Sequence, residues 1–435
     1  MLFINLPFAK KRTTATLVLS VITLLSLPLM PIPSFAEDRI ADSINLSTAI
    51  QRTTEYHPYL HKYQHQFDAQ KGREIQASVS IPLEVEVSVE DILGTGDLTG
   101  IDNAESSLSI RWVLDDNIIN QKVSLESSKK DIIELEQQIA KINLAAQTAH
   151  YFLKTLALQD KLAISDQAVK QQQDTIVQIQ KRVDAGKTSI SDLLRAQAEL
   201  EKELLQQEDL LHEIKSSMRR LVAQWGERYP DFKTLNGSIA IEPRFITLPE
   251  LEQKLATSPS LKRFMVLKSI TQEKVDLAQV QSKPLWRVSA GVKRYELSGD
   301  YGLTAGVTIP IMQANRNQGL IAALRAEQNQ QQSEFNALQQ SAETQLFVLY
   351  QELLHAQHVK EALQERIIPS LNKALEETTR VYLQGKYSFM ELTSVQRDLL
   401  KAKIELIDAN LMVYMTMIEI EKLTGLQLTR LEERT

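Results

Sequence analysis

The sequence predicts a mainly α-helical fold that carries a pair of β-hairpins and consists of two similar halves. The first observation is a glycine turn that occurs twice, as VDAGKTSISDLL at 183–194 and as YLQGKYSFMELT at 382–393. The second is apolar periodicity that continues for many turns on both sides of each glycine, and the third is four short segments of alternating apolar and polar residues. These patterns predict duplicated long helical hairpins, each preceded by a strand pair.

Each glycine turn is predicted to join two helices. Gly186 and Gly385 are each the only glycine in a stretch of more than 100 residues. Glycine adopts the left-handed conformation that ends a helix. A new helix is then predicted to begin, because a capping-box spacing follows each glycine. The residues with that spacing are Ser189 with Asp192, and Ser388 with Glu391.

The helices that flank the turns are predicted to be long. No proline or glycine interrupts residues 116–184, and about 69 helical residues would span roughly 100 Å. The helix predicted from 317 to 383 contains Pro369, which should bend it. The two hairpins are therefore expected to differ in bend.

Four strands of period 2 are predicted at 81–92, 106–115, 285–297 and 300–311. Val85, Val87, Leu108 and Trp112 fall on the apolar side of the first pair. One interpretation is a small soluble sheet with one wet face. The other is part of a membrane β-barrel, with those four residues facing lipid. Four strands cannot close a barrel, and lipid does not tolerate open edges, so the second interpretation requires an oligomer.

The predicted organisation begins with a secretory signal. Lys10, Lys11 and Arg12 precede an apolar stretch, and Ser34-Phe35-Ala36 fits a cleavage site. The predicted segments are the signal peptide (1–36), the first repeat with its tip at 184–190 (37–226), a connector (227–247), the second repeat with its tip at 384–389 (248–425), and a C-terminal tail (426–435).

Composition argues against several classes of function. Removing the signal leaves 46 basic and 55 acidic residues (49 − 3 = 46), so a nucleic-acid partner is not expected. The chain has no cysteine and therefore no disulfide. No nucleophile motif, phosphate loop or dinucleotide fingerprint occurs, and neither enzymatic activity nor a cofactor is predicted.

Histidine spacing leaves one question open. His57, His61 and His65 follow at i, i+4 and i+8, a spacing that can hold zinc on one helix face. The alternative is a solvated or packed stripe, which we favour because no carboxylate motif accompanies the histidines. His355 and His358 form a weaker pair. No metal site is predicted.

Taken together, the signal peptide, the duplicated helix–strand–strand–helix–turn–helix order and the repeated turn resemble the TolC-like outer-membrane efflux proteins. The resemblance covers essentially the whole mature chain. It implies a homotrimer in which each subunit gives four strands to a 12-stranded outer-membrane β-barrel. The helices would form a trimeric α-helical barrel through the periplasm of a Gram-negative bacterium. The stretch GKYSFMELTSVQRDLL (385–400), with Pro369 upstream, resembles the subgroup that serves Czc-type heavy-metal exporters.

The resemblance also assigns roles to residues. Gly186, Lys187, Gly385 and Lys386 would form periplasmic tips that contact an adaptor (membrane fusion) protein, which connects to an inner-membrane pump. Glu391 matches the first of two acidic positions that line the closed aperture in the family. The second position is Ser394 here, so one ring of three carboxylates is expected.

The resemblance therefore implies a passive export duct for small molecules or metal ions in a tripartite efflux system. Two alternatives remain open from the sequence. One is a periplasmic coiled-coil structural or adaptor protein with a soluble sheet, and the other is the outer-membrane duct of a type I protein secretion system. The alternating strands separate the first alternative from a duct, since they face lipid only in a membrane channel.

Overall fold

The computed structural model describes residues 41–240, 246–311 and 316–426. The predicted signal peptide, five residues of the connector and most of the C-terminal tail lie outside the described residues. All described residues belong to one compact unit. Within them, no helix combines the length and the apolar character needed to cross a membrane.

Helices dominate this unit, as the sequence predicts, and the elements repeat in the same order in both halves. The helices are α1 (Leu46–Tyr56), α2 (Pro58–Ala77), α3 (Asp116–Asp184), α4 (Ile190–Val222), α5 (Leu248–Ala256), α6 (Pro259–Gln281), α7 (Gln318–Glu361), α8 (Ile368–Leu383) and α9 (Phe389–Thr424). The strands are β1 (Ala41–Ile44), β2 (Glu84–Glu90), β3 (Glu105–Val113), β4 (Phe232–Leu235), β5 (Arg287–Tyr295) and β6 (Tyr301–Thr308).

Helix α3 runs for 69 residues without a break and organises the helical layer. It packs against α2 and α4, and also against α6 and α9. Helix α7 packs against α6 and α9, and α8 packs against α9. The main packing order is therefore α2–α3–α6–α7 beside the sheet and α4–α3–α9–α8 towards the glycine turns. In both rows the outer helices are α2 with α4 and α7 with α8, and at the glycine turns α4 also packs against α8 and α9.

The second hairpin contains a π-helix at Ala362–Ile367, directly before Pro369. The segment from Gln318 to Gly385 is two residues longer than that from Gln121 to Gly186 (385 − 318 = 67 against 186 − 121 = 65). A π-helix accommodates extra residues without breaking the helix, and here it widens the turn that the ring of Pro369 would otherwise crowd. The predicted difference between the hairpins is thus a local widening of one helix.

Strands β2, β3, β5 and β6 form one antiparallel sheet in the order β2-β3-β5-β6. The hairpin of each half contributes two neighbours, and β3 pairs with β5 across the halves. Each strand is shorter than the predicted segment by a few residues at one or both ends. Within the described chain, β2 and β6 each have one unpaired edge.

A second, two-stranded sheet was not predicted as such. Strand β1 pairs in parallel with β4, which lies in the connector, where the sequence allows one short strand or helix in an irregular segment. Phe232 and Leu235 of β4 are buried with Trp225 and with Phe152 and Leu156 of α3. A four-residue strand is too short to produce a clear periodicity in the sequence. Its burial against α3 places this sheet near the middle of the long helix.

Candidate functional site

The glycine turns end their helices with the same backbone geometry. Gly186 and Gly385 have φ angles of 67° and 76°. In the first turn the Gly186 amide donates to the Val183 carbonyl (2.9 Å), and the Lys187 amide donates to Arg182 (2.8 Å). The second turn repeats both bonds at equivalent positions: the Gly385 amide donates to the Tyr382 carbonyl (2.9 Å), and the Lys386 amide donates to the Val381 carbonyl (3.2 Å). This double bond pattern is a Schellman motif, which requires a left-handed residue at its centre.

The two following helices start differently, which corrects the expectation of two capping boxes. In the second tip the Ser388 amide donates to Glu391 Oε2 (2.7 Å), and the Glu391 amide donates to Ser388 Oγ (3.4 Å). This is a complete capping box. In the first tip Ser189 Oγ accepts from the Ser191 amide instead. Asp192 is one methylene shorter than glutamate, and its carboxylate accepts from the Thr188 hydroxyl (2.7 Å).

The two tips lie against each other. Ile179 and Leu193 of the first hairpin are buried with Tyr382, Phe389 and Leu392 of the second.

Polar contacts also cross between the tips. Arg182 Nη1 donates to the Leu383 carbonyl (3.2 Å), and its guanidinium lies 4.9 Å from the centre of the Tyr382 ring. Burial raises the pKa of Tyr382. The tips therefore form one packed end of the molecule, in which a change in one turn is felt by the other.

The predicted contact residues lie on the outer surface of this end. Gly186, Lys187, Gly385 and Lys386 are all exposed. The two tips also carry an exposed apolar surface that the sequence patterns did not reveal, which consists of Ile190, Leu194, Leu383, Tyr387 and Met390. These residues are exposed although they are large and apolar, and Met390 Sδ accepts from Arg195 (3.1 Å). The signal available in the sequence was the presence of large apolar residues next to both glycines, outside the core positions of the heptads.

Glu391 is exposed on the first turn of α9, and its carboxylate is held by the cap. Because Oε2 accepts from the amide and hydroxyl of Ser388, the side chain has one fixed direction. Ser394, one turn further on, is also exposed. The structure therefore gives Glu391 a local structural role, and this role is compatible with a negative charge at the tip.

At the other end, the four-stranded sheet has one apolar and one polar face. Val87 pairs directly with Leu108, Val85 pairs with Ile110, and Trp112 pairs with Val288. The pleat therefore brings the four predicted apolar residues of the first hairpin to a single face. This face continues across β5 and β6 through Ala290, Val292, Leu303, Ala305 and Val307. Val87 is 72% exposed and Leu303 is 89% exposed.

The opposite face carries charges that pair across strands. Arg111 of β3 forms ion pairs with Glu84 (3.6 Å) and Glu86 of β2. Lys293 of β5 lies beside Glu90 (3.3 Å) and Glu105. An apolar face with no cover in the described chain, behind which lies a charged face, is what a sheet between lipid and a water-filled lumen requires.

The histidine stripe lies on α2. His57 caps this helix, since its Nδ1 accepts from the Tyr59 amide (3.1 Å), and burial lowers its pKa. His61 and His65 are exposed. Among the described residues there is no group of three or more histidine, aspartate or glutamate side chains close enough to hold a metal ion. His57 therefore has a structural role that its spacing did not reveal.

The structure combines an amphipathic sheet, a layer of very long helices and packed glycine tips at the far end. This combination defines the class of outer-membrane channels with a helical extension into the periplasm. The model of the outer membrane efflux protein family matches residues 49–227 and 251–426. The chain belongs to this family.

Individual relatives agree with that assignment. The chain is 22% identical over 367 residues to the cobalt-zinc-cadmium resistance protein CzcC of Cupriavidus metallidurans, covering 83% of this chain and 85% of CzcC. Among solved structures it is similar to CusC, with 17% identity, a TM-score of 0.65 and coverage of 91% of this chain and 97% of CusC. The outer membrane protein VceC of Vibrio cholerae gives 16% identity, a TM-score of 0.67 and coverage of 87% and 96%.

These similarities confirm the fold and the function that the sequence predicted. The protein is the outer-membrane channel component of a tripartite efflux system, located in the outer membrane with a long periplasmic extension. Channels of this family form trimers and work with an adaptor and a pump. The family acts as a transport duct.

Proposed function

We propose that this protein is a passive trimeric duct for divalent metal ions, in which three copies close both the sheet and the helical layer. The observation that carries the proposal is that the open edges of the sheet and the outer helices lie on the same two sides of the molecule. Strand β2 and helices α2 and α4 lie on one edge, and β6, α7 and α8 lie on the other. A contact between unlike edges that is repeated by rotation closes a ring. Three copies give twelve strands, which leaves no edge exposed to lipid.

The apolar face of the sheet approaches the height of the apolar band of a membrane barrel, which is about 25 Å. From Trp286 to Arg294 the strand extends about 26 Å, or roughly 20 Å along the membrane normal at a tilt of about 40°. Trp112 and Trp286 lie near one end of this face, and Tyr301 lies at the other beside Arg294. Aromatic residues at both ends are typical of the two membrane interfaces. In this arrangement Val85, Val87, Leu108 and Trp112 face lipid.

The tips are the docking site for the periplasmic adaptor. The exposed Lys187 and Lys386 offer positive charge on the same tips as the apolar surface of Ile190, Leu194, Leu383, Tyr387 and Met390. An apolar centre with a charged rim is the usual composition of a protein–protein interface. The adaptor in turn connects the duct to an inner-membrane pump, which supplies the energy of transport.

The metal cargo is proposed from two sources. The relative CzcC is a cobalt-zinc-cadmium resistance protein and matches this chain over most of both lengths. In addition, threefold repetition of Glu391 would place a ring of three carboxylates near the aperture, and a narrow ring of negative charge attracts cations.

The experiment is deletion of the gene, followed by growth on graded zinc, cobalt and cadmium and, in parallel, on dyes and detergents. Sensitivity to the metals alone, restored by the intact gene, supports metal export. Sensitivity to dyes and detergents alone would contradict the metal cargo but not the duct. Membrane fractionation tests the duct itself, because a soluble periplasmic protein would be released without detergent.

A further inference from the structure

Two ion pairs join α3 to α9 within one copy. Lys161 Nζ lies 2.6 Å from Asp408 Oδ1, and His150 Nε2 lies 3.1 Å from Glu419 Oε1. Lys161 and His150 are eleven residues apart on α3, and their partners are eleven apart in the opposite direction on α9. The contacts therefore lie along one continuous line between two antiparallel helices.

The duplication supplies a counterpart of each helix. Helix α9 corresponds to α4 at an offset of 199 residues. Gly186 and Gly385 come before these helices and Gly226 and Gly425 follow them, and both pairs are 199 residues apart. All four glycines have positive φ. Helix α7 corresponds to the upper part of α3 at an offset of 197. The landmarks for this offset are Asn120 with Asn317, and the buried pairs Ala149 with Leu346 and Leu156 with Leu353.

These offsets place four residues at positions equivalent to the two ion pairs. His358 and Phe347 of α7 correspond to Lys161 and His150, and both come before the π-helix, where the offset of 197 still holds. Asp209 and Arg220 of α4 correspond to Asp408 and Glu419.

All four residues are exposed, and they lie on α4 and α7, which are outer helices on opposite sides of the helical layer. Asp209 also lines the groove that α4 forms with Lys161 of α3 and Ile404 of α9. The side chains of Asp209 and His358 form no hydrogen bond or ion pair within the described chain. Asp209 and Arg220 on α4 therefore do not meet His358 and Phe347 on α7 within one copy.

We propose that Asp209 of one copy pairs with His358 of the next, and that Arg220 of the same copy lies on the ring of Phe347. The proposal rests on the trimeric duct and names the helical seam that closes it. The chemistry is complementary at both positions: an imidazole donates to a carboxylate, and a guanidinium stacks on an aromatic face. The seam between α4 and α7 repeats, between copies, the contact that α9 and α3 make within one copy.

The experiment uses cysteine pairs, because the chain has no native cysteine. Asp209→Cys with His358→Cys is treated in membranes with a short bis-maleimide, then denatured and separated by size. Covalent dimers and trimers are expected. Lys161→Cys with Asp408→Cys is the matched control, which should react within one chain and leave its mass as a monomer. Asp209→Cys with Ser333→Cys is the mismatched control, since 25 helical residues displace the second site by about 37 Å.

The outcomes separate the seam from the duct. The seam would be overturned if native electrophoresis showed trimers but the 209/358 pair gave no covalent product. It would also be overturned if the 209/333 pair gave an equal amount of product. Either result would leave the duct standing. Absence of trimers for the unmodified protein would overturn the duct. A charge exchange gives a second test: Asp209→Arg and His358→Glu should each lower the temperature at which trimers dissociate, and the double variant should recover most of that loss.

Discussion

Gly186 and Gly385 occupy equivalent places in the two halves and share a left-handed backbone that places the next amide over the end of the preceding helix. An added Cβ would meet nothing within 4 Å at Gly186 and only the end of Arg182 (3.7 Å) at Gly385. The requirement for glycine at both tips is therefore conformational and not steric.

Replacement of both glycines with valine should distort the turns, because a β-branched residue resists positive φ. We expect trimers to assemble and metal export to fail, because the surface proposed to dock the adaptor changes shape. The measurement combines native electrophoresis with growth on zinc. Gly72→Ala is the control, since Gly72 lies in α2 with nothing near its Cβ position. Normal growth of the double valine variant would rule out a role of the turns in docking.

Val87→Arg should hinder insertion. At mid-strand on a lipid-facing surface an arginine costs about 2–4 kcal/mol, whereas the same residue in a wet lumen costs far less. Glu86→Arg is the comparison on the opposite face, where the loss of the exposed ion pair with Arg111 costs about 1 kcal/mol or less. The yield of heat-modifiable trimer in the outer-membrane fraction is the readout. Equal yields from the two variants would contradict the assignment of faces.

Glu391→Gln should separate the cap from the charge. Glutamine keeps an oxygen that accepts from the Ser388 amide, so the helix start is preserved, but the ring of three charges is lost. We expect the ratio of cation to anion permeability in planar bilayers to fall while trimer stability stays unchanged. A lower melting temperature with unchanged permeability would show that Glu391 is only a cap. Glu391→Ala should show both effects.

The ion pair between Arg52 and Asp231 should make stability depend on pH. The guanidinium donates to both carboxylate oxygens (2.9 and 3.0 Å), which lowers the pKa of Asp231 below its ordinary value of 3.8. A carboxyl whose folded pKa is depressed contributes stability above its unfolded pKa, and this contribution is lost as pH falls through the folded pKa. The loss should therefore occur below about pH 4.

Asp231→Asn should accordingly be less stable than the parent at pH 7, and the difference should shrink as the pH falls below about 4, as measured by thermal unfolding in detergent. Asp42→Asn is the control, because Asp42 pairs with Lys233 in an almost fully exposed position. If the difference between Asp231→Asn and the parent persisted at the lowest pH, the contribution would come from packing and not from the charge.

Much of the fold could be predicted because it follows from patterns that persist over many residues. The absence of proline and glycine through α3 and the alternation around Val87 and Leu108 each repeat a local preference many times. Strand β1 could not be found, since four residues carry too little periodicity and its partner β4 is far away in sequence. The π-helix before Pro369 was equally hidden, because proline indicates a disturbance of a helix without specifying its form.

The site divides in the same way. The glycine turns can be predicted because glycine is rare in the flanking sequence. The exposed apolar surface around Met390 could not be predicted, because it depends on which side of a turn faces outwards. The unequal caps at Ser189 and Ser388 depend on one methylene between aspartate and glutamate. Such details are decided by side-chain reach in three dimensions, which spacing alone does not contain.

The open edges that run from β2 to α4 and from β6 to α8 have a genetic consequence. In the proposed ring every subunit meets its neighbours along the whole length of the molecule, so one faulty copy alters two of the three seams. In a cell that makes normal and seam-defective chains in equal amounts and mixes them at random, only about one ring in eight would be built from normal chains alone. A defect in one allele on a plasmid would therefore act dominantly, and metal tolerance would fall although half of the protein is sound.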